Sequence, residues 1–295
     1  MCIRDRSGSA GYENMYAQTG NVENKGFELS IGYDKTWRDF AWSSSLTLSH
    51  NKNKVVELMN NYYDPQTDKY HTLKEYEVAS MGGANFIMTE GGTMGDLYAY
   101  GDLRLDENGY IYINPNDPKL MVTDERIKLG SVLPDYNAGF RNDFSYKGIN
   151  LSLLFSARFG GIVVSPTQGF LDGLGVSKAS ADARDAGGVP INNGRIDAQH
   201  YYETVGLGQL LSHYTYSATN VRLQEMSIGY TFPKKWMGDR VKLTASLVGR
   251  NLWMIYCKAP FDPELTASTG SYLQGIDYFM QPSLRSLGFN VQLKF

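Results

Sequence analysis

The sequence has little cysteine, little histidine and no long apolar run. Its 295 residues include 2 Cys and 4 His. Cys2 and Cys257 lie at opposite ends of the chain, so the cysteines indicate neither a redox pair nor a metal site. No segment approaches the roughly 20 consecutive apolar residues that a membrane-spanning helix needs, which excludes a helical membrane protein.

Basic residues are not in excess either. The chain has 28 Lys and Arg against 31 Asp and Glu, for a formal net charge of -3. Proteins that bind nucleic acid are usually basic, so no nucleic-acid partner is expected. The histidines include no pair at the i, i+4 spacing of a helical zinc site, and no Gly-rich segment has the strand-to-helix setting of a phosphate loop. The sequence therefore predicts no metal and no cofactor.

What the sequence does contain is strict alternation of apolar and polar residues, which is typical of β-strands with two different faces. The residues Phe27, Leu29, Ile31 and Tyr33, for example, alternate with polar residues or glycine. Short turns join the alternating segments in pairs, which predicts three hairpins: 27–34 with 40–48, 136–146 with 149–159, and 226–232 with 241–247. The phase of the alternation slips by one residue between 223 and 226, which predicts a β-bulge.

The last segment alternates most regularly. It places Leu287, Phe289, Val291, Leu293 and the final Phe295 on one face. A chain that ends on an aromatic residue in an amphipathic strand is what outer-membrane barrels present to the machinery that inserts them. We therefore predict that Phe289, Val291, Leu293 and Phe295 form a signal for the barrel assembly machinery.

The connections between these segments are of two lengths. The turns within hairpins are short, whereas the connections at about 58–85, 160–220 and 256–285 are long and rich in Gly, Asn, Asp and Tyr. Bacterial outer-membrane barrels have short periplasmic turns and long extracellular loops, so the long connections are predicted to be extracellular. The pattern predicts a non-native or disordered start at 1–11 and a barrel portion at 12–295.

The segment from 86 to 130 is harder to place. Asp106-Glu107-Asn108-Gly109 carries the Asn-Gly signal of a hairpin turn, and it lies between two strand-like stretches, 97–100 and 110–113. The pattern leaves open whether this hairpin belongs to the barrel wall or to a loop above it.

Alternation also describes a soluble β-sandwich, whose strands are apolar on the inner face and polar on the outer face. Strands of spanning length, connections of two lengths and a final phenylalanine favour a membrane wall whose apolar face meets lipid. A soluble or surface-attached sandwich that binds carbohydrate is the alternative hypothesis. The two differ in what covers the apolar face.

Several ordered motifs resemble the barrel of SusC/RagA-type TonB-dependent transporters of Bacteroidetes. They are Asn24-Lys25-Gly26-Phe27-Glu28-Leu29, the stretch 48–55, the stretch from Gly130 through Pro134-Asp135-Tyr136 with 139–142, the stretches 221–225 and 229–236, Gly249-Arg250-Asn251-Leu252-Trp253, Asp262-Pro263-Glu264 and 285–295. The resemblance covers nearly everything after about residue 12.

The resemblance implies an all-β fold, a transmembrane antiparallel β-barrel, of which this chain is the C-terminal part. The whole barrel would have about 22 strands and a plugged lumen. It implies location in the cell outer membrane, energy from TonB–ExbB–ExbD, a SusD-like surface lipoprotein as a lid, and uptake of oligosaccharides or, for some members, peptides. The plug domain and the TonB-contacting segment are not in this sequence.

Candidate ligand-binding residues are aromatic. Tyr201, Tyr202, Trp253 and Tyr272 are predicted to contact a ligand or the lid protein, because an aromatic face offers a large contact area with a polar handle. Packing within the loops would explain them equally well. Asp262 and Glu264 are spaced like an acid–base pair, but nothing supplies a nucleophile, so the chain is not expected to be an enzyme.

Overall fold

The computed structural model describes residues 2–5, 14–17, 20–64, 68–114, 117–192, 194–237, 241–265, 267–268, 270 and 272–294. In chain order the strands are β1 (Cys2–Asp5), β2 (Asn14–Ala17), β3 (Asn21–Trp37), β4 (Phe40–Glu57), β5 (Met59–Asp64), β6 (Lys69–Leu73), β7 (Glu75–Met81), β8 (Ala84–Thr89), β9 (Asp96–Tyr100), β10 (Ile113–Asn114), β11 (Asp117–Leu120), β12 (Arg126–Ser131), β13 (Tyr136–Tyr146), β14 (Ile149–Phe159), β15 (Ile162–Val164), β16 (Val189–Ile191), β17 (Gly194–Ile196), β18 (Thr215–Ser217), β19 (Asn220–Thr231), β20 (Lys242–Cys257) and β21 (Ser286–Lys294).

Helices are short and few within these ranges. They are α1 (Pro166–Gly173), α2 (Lys178–Asp185), α3 (Ala198–Tyr202), a π-helix at Glu203–Leu207, and 3-10 helices at Leu211–Tyr214 and Lys234–Met237. None of the helices in the described part of the chain has the length and apolar character needed to cross a bilayer.

Seven strands form one sheet in the order β21-β20-β19-β14-β13-β4-β3, and every neighbouring pair is antiparallel. We call this sheet the wall. The three predicted hairpins are confirmed, and they are β3 with β4, β13 with β14, and β19 with β20. The turn between β13 and β14 has two residues, Lys147 and Gly148, whose φ angles are 46° and 91°. Two positive φ values in succession are what a two-residue hairpin turn requires.

The predicted β-bulge is also confirmed. Leu154 pairs with Glu225 and Phe155 pairs with Leu223, so Gln224 is an extra residue in β19. A single inserted residue reverses the facing of all later side chains, which is why the alternation in the sequence shifts at this point.

One face of the wall is apolar and uncovered. Ile31 is 52% exposed, Leu247 is 65% exposed and Phe289 is 81% exposed. Within the described residues no second layer lies over this face, although apolar residues elsewhere, such as Phe86 and Leu97, are almost fully buried. A soluble sandwich would bury these side chains against a second sheet, so the uncovered face disfavours that alternative.

Two rows of aromatic residues border the apolar face. Near the short turns the register aligns Trp37, Phe40, Tyr146 and Tyr230, and near the opposite end it aligns Phe27, Tyr136 and Phe159. Phe27 and Trp37, one in each row, are ten residues apart on β3 (37 − 27 = 10). At about 3.3 Å per residue this is about 33 Å of strand. A tilt of about 40° makes it about 25 Å high, the height of the apolar band in outer-membrane barrels.

Asn142 is a polar residue near the middle of the apolar face, where it pairs with Ser44 of β4. Asn142 shares the row of Tyr33 and Leu153, and it is buried. The indole Nε1 of Trp42 donates a hydrogen bond to Asn142 Oδ1 at 3.1 Å. The break that Asn142 makes in the sequence pattern is therefore compensated by a partner from the adjacent strand, as a buried polar group requires.

The other face of the wall is polar and carries paired charges. Arg250 Nε donates to Glu225 at 2.9 Å, and Arg141 Nε donates to Asp143 at 2.9 Å. Arg141 also donates to Ser152 Oγ at 3.1 Å. These pairs join neighbouring residues on the same face, so charge on this face is locally balanced.

The long connections lie at the end of the wall opposite the short turns. They run 58–135, 160–219 and 258–285, and we call their described residues together the cap. The first connection is longer than the predicted 58–85, because β7, β8, β9 and β12 form a separate four-stranded sheet in the order β12-β9-β8-β7. This settles the placement of 86–130, which lies in the cap and not in the wall.

The Asn-Gly turn is present but joins different elements from those predicted. Asp106 accepts from the backbone N–H groups of Asn108 and Tyr110, and Leu105 bridges Ile111. The expected pairing of 97–100 with 110–113 is wrong, because β9 pairs with β8 and β12 instead. At the start of the chain β1 pairs with β2, while residues 6–11 lie outside the described residues.

Candidate functional site

All three connections of the cap share one hydrophobic core. Its buried residues come from the first connection (Ala84, Phe86, Leu97, Ala99, Val132), from the second (Val164, Leu211) and from the third (Ile276). Val164 and Ile276 form a parallel bridge, in which the Val164 N–H donates to the Gly275 carbonyl and the Val164 carbonyl accepts from the Asp277 N–H, both at 2.8 Å. The cap is therefore one packed body and not three independent loops.

Polar contacts fix the second and third connections to each other. Ser165 Oγ donates to the buried carboxylate of Asp277 at 2.7 Å, and Thr167 Oγ1 donates to the Asp277 carbonyl at 3.0 Å. Ser165 is also the N-cap of α1, where its hydroxyl accepts from the backbone N–H of Gln168. One serine thus begins the helix and holds the third connection against it.

A buried arginine at the top of the wall holds the third connection. The Arg222 side chain is 4% exposed and lies 2.7 Å from Asp262 and 3.3 Å from Glu264. Burial opposes ionisation of Asp262, but hydrogen bonds from Arg222, Ser283 and the Glu264 backbone outweigh it and hold its pKa below the usual range. Asp262 and Glu264, spaced like an acid–base pair in the sequence, both bind one guanidinium group, and their arrangement is structural.

A polar pocket of about 340 Å³ lies between the helices of the second connection. It is lined by residues of α1, α2, α3, the π-helix and the turn after α1: Asp172, Gly173, Leu174, Gly175, Ser180, Arg184, Ala198, Gln199, Tyr202, Glu203 and Leu207. π-helices are rare and occur frequently at functional sites. The volume is within the range of small-ligand sites.

Asp172 is the buried charged group of this pocket. It is 5% exposed and accepts a hydrogen bond from Gln168 Nε2 at 2.7 Å. Two causes raise the pKa of the nearby tyrosine hydroxyls: burial has the larger effect, and the negative charge of Asp172 adds to it. They raise the pKa of Tyr202 and of Tyr214, and they raise that of Tyr216 to about 12. The tyrosines around Asp172 are therefore neutral at physiological pH.

An aromatic cluster lies on the outside of the same helix. Phe170 is 5.4 Å from Phe279 and 6.5 Å from Tyr278 between ring centroids. Phe279 is 59% exposed and has a φ of 54°, which is unusual for a bulky residue. The backbone N–H of Phe279 donates a hydrogen bond to the hydroxyl of Thr167 at 2.7 Å. The cap thus holds an exposed aromatic side chain in a strained backbone conformation.

The four aromatic residues predicted as ligand contacts lie in three places. Tyr201 and Tyr202 are in α3, with ring centroids 5.2 Å apart, and Tyr202 lines the polar pocket. Tyr272 packs against the shared core of the cap, 6.2 Å from Phe86. Trp253 is in β20 and pairs with Leu223 of the wall. The structure brings together only the first two.

The described residues of the predicted assembly signal share the exposed apolar face. Phe289, Val291 and Leu293 lie on β21, paired with Leu247, Ala245 and Leu243. Phe295 lies outside the described residues. Their orientation agrees with contact to lipid, and their role in assembly stays a prediction.

Sequence reasoning missed Asp172, Arg222 and the Phe170–Phe279 cluster. The run Asp277-Tyr278-Phe279-Met280 was the available signal for the cluster, because three large residues in succession are uncommon in a polar loop. Within the described ranges no group of three or more His, Cys, Asp and Glu residues is arranged to hold a metal ion.

No protein-family model matches the chain. The TonB-dependent receptor P3 of Formosa agariphila is 28% identical to it over 313 residues, which cover 97% of this chain and 30% of that protein. The TonB-dependent receptor P26 of the same organism is 28% identical over 300 residues, covering 95% of this chain and 30% of the relative. The chain is related to the TonB-dependent receptors. It spans under a third of the length of these receptors.

The solved structure of the RagAB peptide transporter has the same fold. It superimposes with a TM-score of 0.65 at 16% identity, over 99% of this chain and 31% of the matched chain. The RagAB peptide importer in its open-open state also has a TM-score of 0.65, at 18% identity. The resemblance to SusC/RagA-type receptors is confirmed, and the wall is part of the transmembrane β-barrel of an outer-membrane protein. The apolar face of the wall is accordingly its lipid-facing side.

Proposed function

We propose that the chain forms part of the barrel wall and the extracellular cap of a receptor that takes up oligosaccharides or peptides by TonB-dependent transport. The observation that carries the proposal is the uncovered apolar face of the seven-stranded wall, bordered by aromatic rows about 25 Å apart. The similar proteins are receptors and transporters, which supports a role in transport and not in catalysis.

In the proposed orientation the short turns lie in the periplasm and the cap lies outside the cell. This follows the asymmetry of bacterial barrels, whose long loops are extracellular. Contact with TonB–ExbB–ExbD would be made by parts of the receptor outside this chain. A SusD-like lipoprotein is proposed to cover the cap, where Phe279 is exposed and held in place.

The test uses the gene for the whole receptor in its natural host. Deletion should abolish uptake of fluorescent oligosaccharides or peptides, and the full-length gene should restore it. A protonophore that collapses the energy source should block uptake without removing the receptor from the membrane. Purification of the receptor in detergent should recover a lipoprotein partner.

Fractionation separates this proposal from the soluble sandwich. The full-length receptor should stay with the outer membrane after washing with salt and should need detergent for release. Recovery in the soluble fraction, or uptake that is unchanged by the deletion, would refute the transport proposal.

A further inference from the structure

We infer that the polar pocket of the second connection binds the side chain of a lysine or arginine residue in an extracellular peptide. The pocket has an acidic inner wall and an apolar rim. Asp172 lies at the inner wall, and Leu174 and Leu207 lie at the rim, 66% and 41% exposed. The inference rests on the proposed function only in taking the cap to be extracellular.

The first reason is that the Asp172 carboxylate has no cation. It is 5% exposed, and its hydrogen-bond partners are neutral: the Gln168 amide at 2.7 Å and the Tyr214 hydroxyl. Among the described residues no lysine, arginine or histidine forms an ion pair with it. Buried carboxylates are normally paired with a cation, because an unpaired charge in a low-dielectric site is costly. A ligand that supplies the cation completes the site.

The second reason is the balance of charge around the pocket. Glu203 adds a second carboxylate to the lining, and the Asp182 carboxylate outside it is paired with Lys178. The basic residue in the lining is Arg184, and its Nη1 donates to the carbonyl of Gly175 at 2.9 Å. Its guanidinium is thus held at the turn after α1 and forms no ion pair with Asp172. The lining therefore favours a positively charged group.

The third reason is shape. Lysine and arginine side chains have an apolar stem and a charged end, so the stem lies along apolar surface while the end reaches a polar partner. Leu174 and Leu207 provide that surface, and Asp172 with the neutral hydroxyl of Tyr202 provides the acceptors. A hexosamine carries the same charge but has no apolar stem to fill the rim. The geometry points to a basic peptide side chain.

The experiment measures binding to the full-length receptor purified in detergent. The probe is the blocked tripeptide acetyl-Ala-Lys-Ala-amide, and the matched control peptide has norleucine in place of lysine. Isothermal titration calorimetry should show at least tenfold tighter binding of the lysine peptide. Asp172→Asn should weaken binding roughly ten- to hundred-fold, the effect of losing a charged hydrogen bond. Asp182→Asn removes the same charge outside the pocket and should change affinity less than about twofold.

A second variant keeps Asp172 intact. Leu207 is half-exposed, so Leu207→Trp should narrow the mouth of the pocket. This variant should abolish lysine-peptide binding, while the receptor still inserts normally into the membrane. Equal binding of the norleucine peptide, equal effects of the two aspartate substitutions, or absence of lysine-peptide binding would each overturn the inference. Glucosamine binding as tight as that of the lysine peptide would overturn the peptide assignment. Uptake is measured separately, so loss of this inference would leave the transport proposal standing.

Discussion

Replacing Ile31 with arginine is expected to destabilise the membrane-inserted receptor by about 2–4 kcal/mol. Ile31 lies on the lipid-facing side of β3, six residues from Trp37 and four from Phe27. With a rise of about 3.3 Å per residue and the tilt used above, it lies about 15 Å from one aromatic row and about 10 Å from the other. This is close to the middle of the membrane, where a charged side chain is most costly.

The matched control is Ser30→Arg. Ser30 precedes Ile31 and pairs with Thr47 on the polar face, so its side chain points to the lumen. We expect this variant to change stability by no more than about 0.5 kcal/mol. The assay is urea-induced unfolding of the full-length receptor from phospholipid vesicles, followed by tryptophan fluorescence and by heat-modifiable migration in gels. If Ser30→Arg costs as much as Ile31→Arg, the assignment of the lipid-facing side is refuted.

Three further predictions concern buried polar groups. Trp42→Phe removes the donor to Asn142 and should cost about 1–3 kcal/mol in the same unfolding assay. Adding Asn142→Leu should recover much of this loss, whereas additive costs would contradict a direct interaction. Arg222→Ala should cost about 3–5 kcal/mol and make the third connection sensitive to protease, because it leaves two carboxylates without their cation. The exposed Arg250→Ala should cost at most about 1 kcal/mol, and equal protease sensitivity of the two variants would contradict the role of Arg222. Since the folded-state pKa of Asp262 is depressed, its stabilising contribution should be complete above the ordinary aspartate value of about 3.9 and be lost as the pH falls through the lower folded value. Protease digestion across this pH range should detect the loss, and a loss that begins near neutral pH would contradict the prediction.

The wall could be predicted from the sequence because its signals are local. A period of two assigns each residue to a face, and a turn such as Lys147-Gly148 sets the register of a whole hairpin. The bulge at Gln224 was visible for the same reason, because one inserted residue reverses the alternation after it. These signals need no knowledge of distant parts of the chain.

The cap could not be predicted in the same way. Its core joins Phe86, Val164 and Ile276, which belong to three different connections. No periodicity relates residues so far apart, and the Asn-Gly turn at 108–109 indicated a hairpin without indicating which strands would pair. Asp172 was missed because its burial depends on helices that meet only in the folded cap.

The shared core of the cap restricts how such a receptor can change its specificity. A new side chain at Phe86 or Ile276 would disturb all three connections at once, so one connection cannot be exchanged without adjusting the other two. The turn at 106–109 is exposed and takes no part in that core, so it can accept insertions. Diversity among receptors built on this plan should therefore accumulate at such tips and at the pocket linings, while the interior of the cap varies as a unit.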